Sequence, residues 1–137
     1  MAAELAPALH ADNFQVREVD ALPYEDERMD AVISSAVLHF AADERDFDVM
    51  LNEMWRVLRP GGLFFARLAT SIGLEPRLPS SSPGRYRLPD GSVRFLMDEA
   101  GLLARTESLG ATLAEPIKTT NVQNLRAMTT WCLRKRS

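Results

Sequence analysis

The sequence predicts an α/β fold, a mostly parallel sheet with an antiparallel hairpin at its C-terminal end. Two observations carry this prediction. The middle of the chain reads strand, helix, Pro-Gly-Gly turn, strand, the order of a βαβ unit whose strands run parallel. Beyond it lie two more strand candidates, residues 104–111 and 128–133, without a clear crossover helix between them, so they read as an antiparallel pair. The 137 residues have room for a single domain with one core.

Taken in order, residues 2–9 offer a short helical start limited by Pro7. Residues 14–19 alternate Phe14, Val16 and Val19 with polar side chains, a weak strand pattern. Asp20-Ala21-Leu22-Pro23-Tyr24 then breaks the pattern, because Pro23 suits neither a helix interior nor a central strand. Residues 29–37 run almost without charge after Asp30, as expected of a strand buried on both faces of a parallel sheet.

Residues 43–58 form the clearest helix, with Phe47, Met50, Leu51, Met54 and Leu58 on one apolar stripe and Val49 off it. Asp43 and Asp46 are candidate caps. Pro60-Gly61-Gly62 marks the end of the helix and the turn into a strand at 63–68. The Pro, Ser, Gly and Arg-rich stretch 70–92 is long for a connection and reads as a substrate-facing loop or a mobile segment. A helix over 92–100 with Gly101 as its C-terminal stop completes the assignment.

Composition narrows the function classes. A hydrophobic fraction of 46% with 26% charged residues is that of an ordered globular chain. The net charge of −3 and pI near 5.4 give no general attraction to nucleic acid or anionic lipid. The single Cys132 cannot form an internal disulfide, and no metal-ligand spacing is present, so no metal is expected. There is no signal-peptide pattern at the N-terminus and no stretch of membrane-spanning length, which gives a cytoplasmic expectation.

Three ordered segments carry a family resemblance. They are Asp20-Ala21-Leu22-Pro23-Tyr24-Glu25-Asp26; Met29-Asp30-Ala31-Val32-Ile33-Ser34 with Val37-Leu38-His39-Phe40; and Glu53-Met54-Trp55-Arg56-Val57-Leu58-Arg59-Pro60-Gly61-Gly62. Together they resemble the class I, S-adenosylmethionine-dependent methyltransferases, in particular the small-molecule type 11 branch. The match is good over about residues 13–68 and looser over the helix and hairpin at 92–134. The resemblance implies one partial methyltransferase domain over 1–137, a truncated Rossmann-like sheet, S-adenosylmethionine as cofactor and a methyl acceptor of unknown identity.

It also implies site residues. Asp20, the backbone N–H of Ala21 and the side chain of Leu22 would bind the adenine, since a carboxylate accepts from an exocyclic amine. Ser34 and Ser35 lie at the carboxyl end of a strand, where ligands of open α/β sheets gather. His39 is a weak candidate for a catalytic base, the alternative being a histidine that fixes the loop. Glu53 and Arg56, at i and i+3, read as a helix surface pair. Arg77, Arg85 and Arg87 in the long loop fit either an acidic acceptor or a solvated surface.

One family feature is not found: the glycine-rich strand-turn-helix that binds the methionine and ribose parts of the cofactor. The seven glycines begin at Gly61, and no two are spaced Gly-x-Gly. Two readings follow. Either the loop lies upstream of residue 1 in the active enzyme, or the chain is a non-catalytic relative that serves as an oligomerisation or partner-binding module. Within these residues the strand at 29–35 loses its expected neighbour, and an unpaired apolar edge predicts homo-oligomerisation, a rearranged position for residues 14–19, or poor solubility. The acceptor is open between small molecule, protein and nucleic acid; nucleic acid is disfavoured by the lack of a basic, aromatic-rich surface, and no membrane partner is expected.

Overall fold

The computed structural model describes residues 15, 17–79 and 83–137. The helix expected at 2–9 and most of the strand expected at 14–19 lie outside them; the described residues 17–19 are not in a strand. The elements are β1 (Met29–Ser35), a 3-10 turn (Leu38–Phe40), α1 (Glu44–Val57), β2 (Leu58–Thr70), a second 3-10 turn (Glu75–Arg77), β3 (Gly84–Arg87), β4 (Val93–Leu96), α2 (Glu99–Ser108), β5 (Thr112–Leu113), β6 (Lys118–Val122) and β7 (Arg126–Arg134).

The predicted βαβ unit is present. β1 and β2 pair in parallel, with Val32 opposite Phe64 and Ser34 opposite Ala66. β7 runs antiparallel on the other side of β2, from Leu63 opposite Arg134 to Thr70 opposite Ala127. β6 and β5 both pair with β7, which makes the C-terminal hairpin β6–β7. β3 and β4 form a separate two-stranded sheet, anchored to the end of β2 where the Ser71 N–H donates to the Met97 carbonyl at 3.1 Å.

α1 starts where the aspartates predict. The Asp43 carboxylate accepts from the Asp46 N–H at 2.7 Å, and the Asp46 carboxylate accepts in turn from the Ala42 N–H at 2.9 Å. One of the amides at the open end of the helix is thereby satisfied, and the residue before the cap is tied to the first turn. Phe47, Met50, Leu51, Met54, Trp55 and Val57 are buried, whereas Val49 is exposed. These side chains meet Phe64 and Trp131 of the sheet, the rings packing edge to face. Burying each such aromatic contributes roughly 2–3 kcal/mol.

The helix ends at Val57, before the proline. β2 begins at once with Leu58 and takes Pro60-Gly61-Gly62 into the sheet as an irregularity between the Met29 and Ala31 pairings. Gly61 supplies the positive φ of +79°. The last helical carbonyls are capped by Lys135, whose Nζ donates to the Trp55 and Leu58 oxygens at 2.8 and 2.7 Å.

Three sequence expectations are corrected. Residues 93–96 are strand, not helix, because Pro89-Asp90-Gly91 folds a hairpin turn in which the Leu88 N–H donates to the Ser92 carbonyl at 2.7 Å. Gly101 is not a helix stop but lies in the first turn of α2, where its N–H donates to the capping Asp98 carboxylate at 2.7 Å. Residues 104–108, read as strand, belong to that helix. The cap at Asp98 and the helix-favouring Leu, Ala, Arg and Glu that follow outweigh the short apolar run.

α2 lies against α1 through the Arg105 fork, which donates to both Asp48 carboxylate oxygens at 2.7 and 3.0 Å. The Trp131 indole N–H is satisfied by the Thr106 hydroxyl at 3.0 Å. Among the described residues β1 pairs only with β2, and Ile33 is 75% exposed. The expectation of burial on both faces therefore does not hold for β1: Ala31, Ile33 and Ser35 on one face are exposed, whereas Val32 and Ser34 on the other are covered. No helix among the described residues is long and apolar enough to cross a membrane.

Candidate active site

The carboxyl end of β1 opens onto three adjoining depressions. The first is an apolar slot of about 190 Å³ between β1, α1 and the incoming segment, lined by Val19, Leu22, Val32, Ser34, Val37 and Met54. The second, a cleft of about 340 Å³, shares Val19 and Val37 with it and adds Asp20, Ala36, Phe40 and Asp46. The third shares Ala36 and Phe40 with the cleft; it is a hollow of about 200 Å³ that also takes in His39, Arg67, Asp90, Arg94 and Arg126. Ala36, at the junction of the last two, has a φ of +58°, which costs a non-glycine residue about 1 kcal/mol. Its N–H is held by the Arg67 carbonyl at 2.9 Å.

Of the residues expected to bind adenine, Asp20 is exposed on the cleft and Leu22 lines the slot. The Ala21 N–H donates to the Glu18 carbonyl at 3.1 Å, closing the turn that presents Asp20. Ser34 is 3% exposed, and its Oγ has no hydrogen-bond partner. Ser35 is exposed on the other face of β1, opposite Arg67, and lines none of the three depressions.

His39 is buried, and its Nδ1 accepts from the Ala69 N–H at 2.8 Å. The ring is therefore neutral with its proton on Nε2, a hydrogen-bond donor rather than a base. Burial, and then the nearby Arg94 and Arg67 guanidinium groups, push its pKa down to about 4.

Glu53 and Arg56 do more than a helix surface pair would. Glu53 Oε1 accepts from the Leu22 N–H at 2.8 Å, and both its oxygens accept from the Arg56 guanidinium at 2.9 and 2.7 Å. Arg56 donates onward to the carbonyls of Tyr24 and Leu22, at 2.8 and 3.2 Å, and to the Asp26 carboxylate at 2.7 Å. The arginine hydrogen bonds hold the Glu53 carboxyl below its ordinary range. This buckle ties the segment carrying Asp20 and Leu22 to α1. The i, i+3 spacing hid it, because its main partners lie some thirty residues upstream.

Residues 1–66 match a family model described as a methyltransferase domain. Over that stretch, just under half of its length, the chain is similar to the S-adenosylmethionine-dependent methyltransferases. Solved structures extend the likeness in fold over nearly the whole chain. A methyltransferase from Methanosarcina mazei superposes with a TM-score of 0.72 at 17% identity, covering 98% of this chain and 76% of that one. The 1,6-didemethyltoxoflavin-N1-methyltransferase of Burkholderia thailandensis, solved with 1,6-didemethyltoxoflavin and S-adenosylhomocysteine bound, gives 0.67 at 18%, covering 98% and 57%. A Haloferax volcanii complex between a methyltransferase and a methyltransferase activator gives 0.65 at 17%, covering 96% and 65%. This chain thus spans less than two thirds of the length of the last two.

The methyltransferase resemblance implies S-adenosylmethionine as cofactor, and the residues present fit one end of it. The slot has apolar walls of the kind an aromatic base fills, the orphaned Ser34 hydroxyl lies within it, and Asp20 stands on the adjoining cleft. Sequence reasoning missed Glu53 and Arg56 as positioning residues, and it missed Arg67, Arg94 and Arg126 altogether. The arginines it singled out point elsewhere. Arg85 donates to the Ala41 carbonyl at 3.4 Å and Arg87 to the Gly91 carbonyl at 3.2 Å, while Arg77 sits on an exposed 3-10 turn.

Proposed function

We propose that this chain carries the adenine end and the acceptor side of a methyl-transfer site for a small-molecule acceptor. The observation behind the proposal is the buried Ser34 hydroxyl, which has no partner and lies in an apolar slot beside Asp20. A buried hydroxyl left without a hydrogen bond costs about 1–3 kcal/mol. A ligand hydrogen-bonding there would relieve that cost. S-adenosylmethionine, when bound, supplies an electrophilic methyl group on a sulfonium.

The chain's own residues bind and orient. Asp20 accepts from the exocyclic amine, Leu22 and Val37 flank the ring, and Glu53 with Arg56 fixes the loop that carries the first two. Phe40 and Ala36 separate this end from the hollow that receives the acceptor. His39, as an Nε2–H donor, orients acceptor atoms and is not asked to remove a proton. The reading includes a cytoplasmic location, with which the single buried, free Cys132 agrees.

Calorimetric titration of the chain with adenosine and with S-adenosylmethionine tests this. The expected result is comparable, weak binding of both, abolished by Asp20→Ala together with Ser34→Ala. No adenosine binding, or binding that the double substitution leaves intact, overturns the assignment.

The exposed Ile33 on β1, whose second edge is unpaired among the described residues, favours a second role, in which two copies pair through that edge. Light scattering at tens of micromolar should then give a dimer mass that Ile33→Lys reduces to a monomer. A monomer for the unmodified chain excludes this role.

A further inference from the structure

The hollow beyond Phe40 has an unusual charge balance. Arg67 from β2, Arg94 from β4 and Arg126 from the start of β7 line about 200 Å³ together, against one carboxylate, Asp90. That carboxylate is already committed. It accepts from the Ser92 N–H and hydroxyl at 2.9 and 2.6 Å, and its other oxygen stands 3.8 Å from Arg126. Arg94 lies over the Phe40 ring, 4.6 Å from its centre, and donates one bond to the Val93 carbonyl at 2.9 Å. Arg67 has no ion pair among the described residues. His39 in the same wall is neutral, because its Nδ1 accepts a backbone proton.

Among the described residues the hollow therefore carries two net positive charges and at least one guanidinium fork with no carboxylate paired to it. Gathering three like charges in so small a volume is repulsive. A planar or tetrahedral oxyanion reverses that sign and takes up the fork geometry in paired hydrogen bonds. We propose that this hollow binds a carboxylate or phosphate group of the methyl acceptor, so that the acceptor is a small anionic molecule. Placement of the anion as part of an acceptor rests on the methyl-transfer reading above, since the hollow joins the cofactor cleft through Ala36 and Phe40. Arg67 and Arg126 hold the anion from the sheet, while Arg94, stacked on Phe40, closes the side towards the cleft.

The test needs no methyl donor. The chain is titrated with inorganic phosphate and, separately, with succinate at constant ionic strength, and read by amide and imidazole NMR. The expected result is a saturable shift at Ala36, His39 and Ala69 with a dissociation constant of about a millimolar. Arg67→Ser and Arg126→Ser should each weaken it about fivefold or more, and the loop variant Arg77→Ser should leave it unchanged. Bound anion also offsets the Arg94 and Arg67 charges, so the His39 pKa should rise on saturation. Preference for succinate over phosphate assigns a carboxylate, and the reverse a phosphate.

No saturable shift with either probe, or equal shifts in the wild type and in Arg67→Ser, overturns the inference. Adenosine added to the same sample separates this failure from that of the methyl-transfer reading. Adenosine binding without an anion response refutes only the anion site. An anion response without adenosine binding keeps the site and removes the methyltransferase assignment.

Discussion

Replacing His39 by glutamine should change how the stability of the chain depends on pH. In the folded protein the ring is buried, its Nδ1 accepts from the Ala69 N–H at 2.8 Å, and Arg94 and Arg67 stand near it. All three conditions disfavour the imidazolium, and the pKa falls from the ordinary 6.5 to about 4. As the pH drops through 6.5 the unfolded chain takes up a proton that the folded chain refuses until about pH 4, so acid favours unfolding. The stabilisation is complete above pH 6.5, declines between 6.5 and 4, and is gone below. That gap corresponds to about 3 kcal/mol, at about 1.4 kcal/mol for each tenfold change in proton affinity. A glutamine side chain in its place keeps an oxygen for the Ala69 N–H but does not titrate. Urea denaturation at pH 7 and pH 4 should therefore show the wild type losing about 3 kcal/mol more than His39→Gln. The depressed carboxyls of Glu53 and Asp90 also lose stability in acid, but they do so in both proteins and cancel. Equal losses in the two proteins, or a His39 ring signal titrating near 6.5, would refute the reasoning.

Three other substitutions probe the site and its support. Glu53→Ala removes the acceptor for the Leu22 N–H and the anchor of Arg56; it should cost about 1–3 kcal/mol and speed hydrogen exchange at Leu22, whereas unchanged exchange there would remove the buckle. A Cβ at Gly62 would meet Leu58 Cδ1 at 2.5 Å and the carbonyl oxygens of Arg59 and Asp30 at 2.8 and 2.9 Å, whereas Gly61 has open space and only its positive φ. Gly62→Ala should thus lower thermal stability by about 1–3 kcal/mol and by more than Gly61→Ala, an order that melting curves check directly. Ser34→Ala removes a hydroxyl with no protein partner, so it should leave the melting temperature unchanged or slightly raised while weakening adenosine binding severalfold; a marked loss of stability would show that the hydroxyl is satisfied within the protein.

Some of this was legible residue by residue. The stripe from Phe47 to Met54 and the cap at Asp43 depend on neighbours within a few positions, and each was found where it was expected, whereas Pro60-Gly61-Gly62, expected as a turn, lies within β2. The errors over 92–111 were also local. The Pro89-Asp90-Gly91 turn and the Asp98 cap outweigh the apolar runs beside them. Glu53 and Arg56 were visible as residues but not as a buckle, since their partners depend on how the segment from Asp20 to Asp26 lies across α1.

By itself the sequence determined the βαβ unit and the phase of α1, and it carried the methyltransferase resemblance. These follow from periodicity, capping and turn chemistry acting over a few residues. Tertiary structure alone decided that Ser34 is buried without a partner and Ser35 faces away, that His39 is a donor, and that Arg67, Arg94 and Arg126 share one hollow. The reason is register. A strand's side chains alternate between faces, so which residues converge depends on the pairing of β2 with β7 and the docking of the β3–β4 hairpin. Neither is written in the residues next to the arginines.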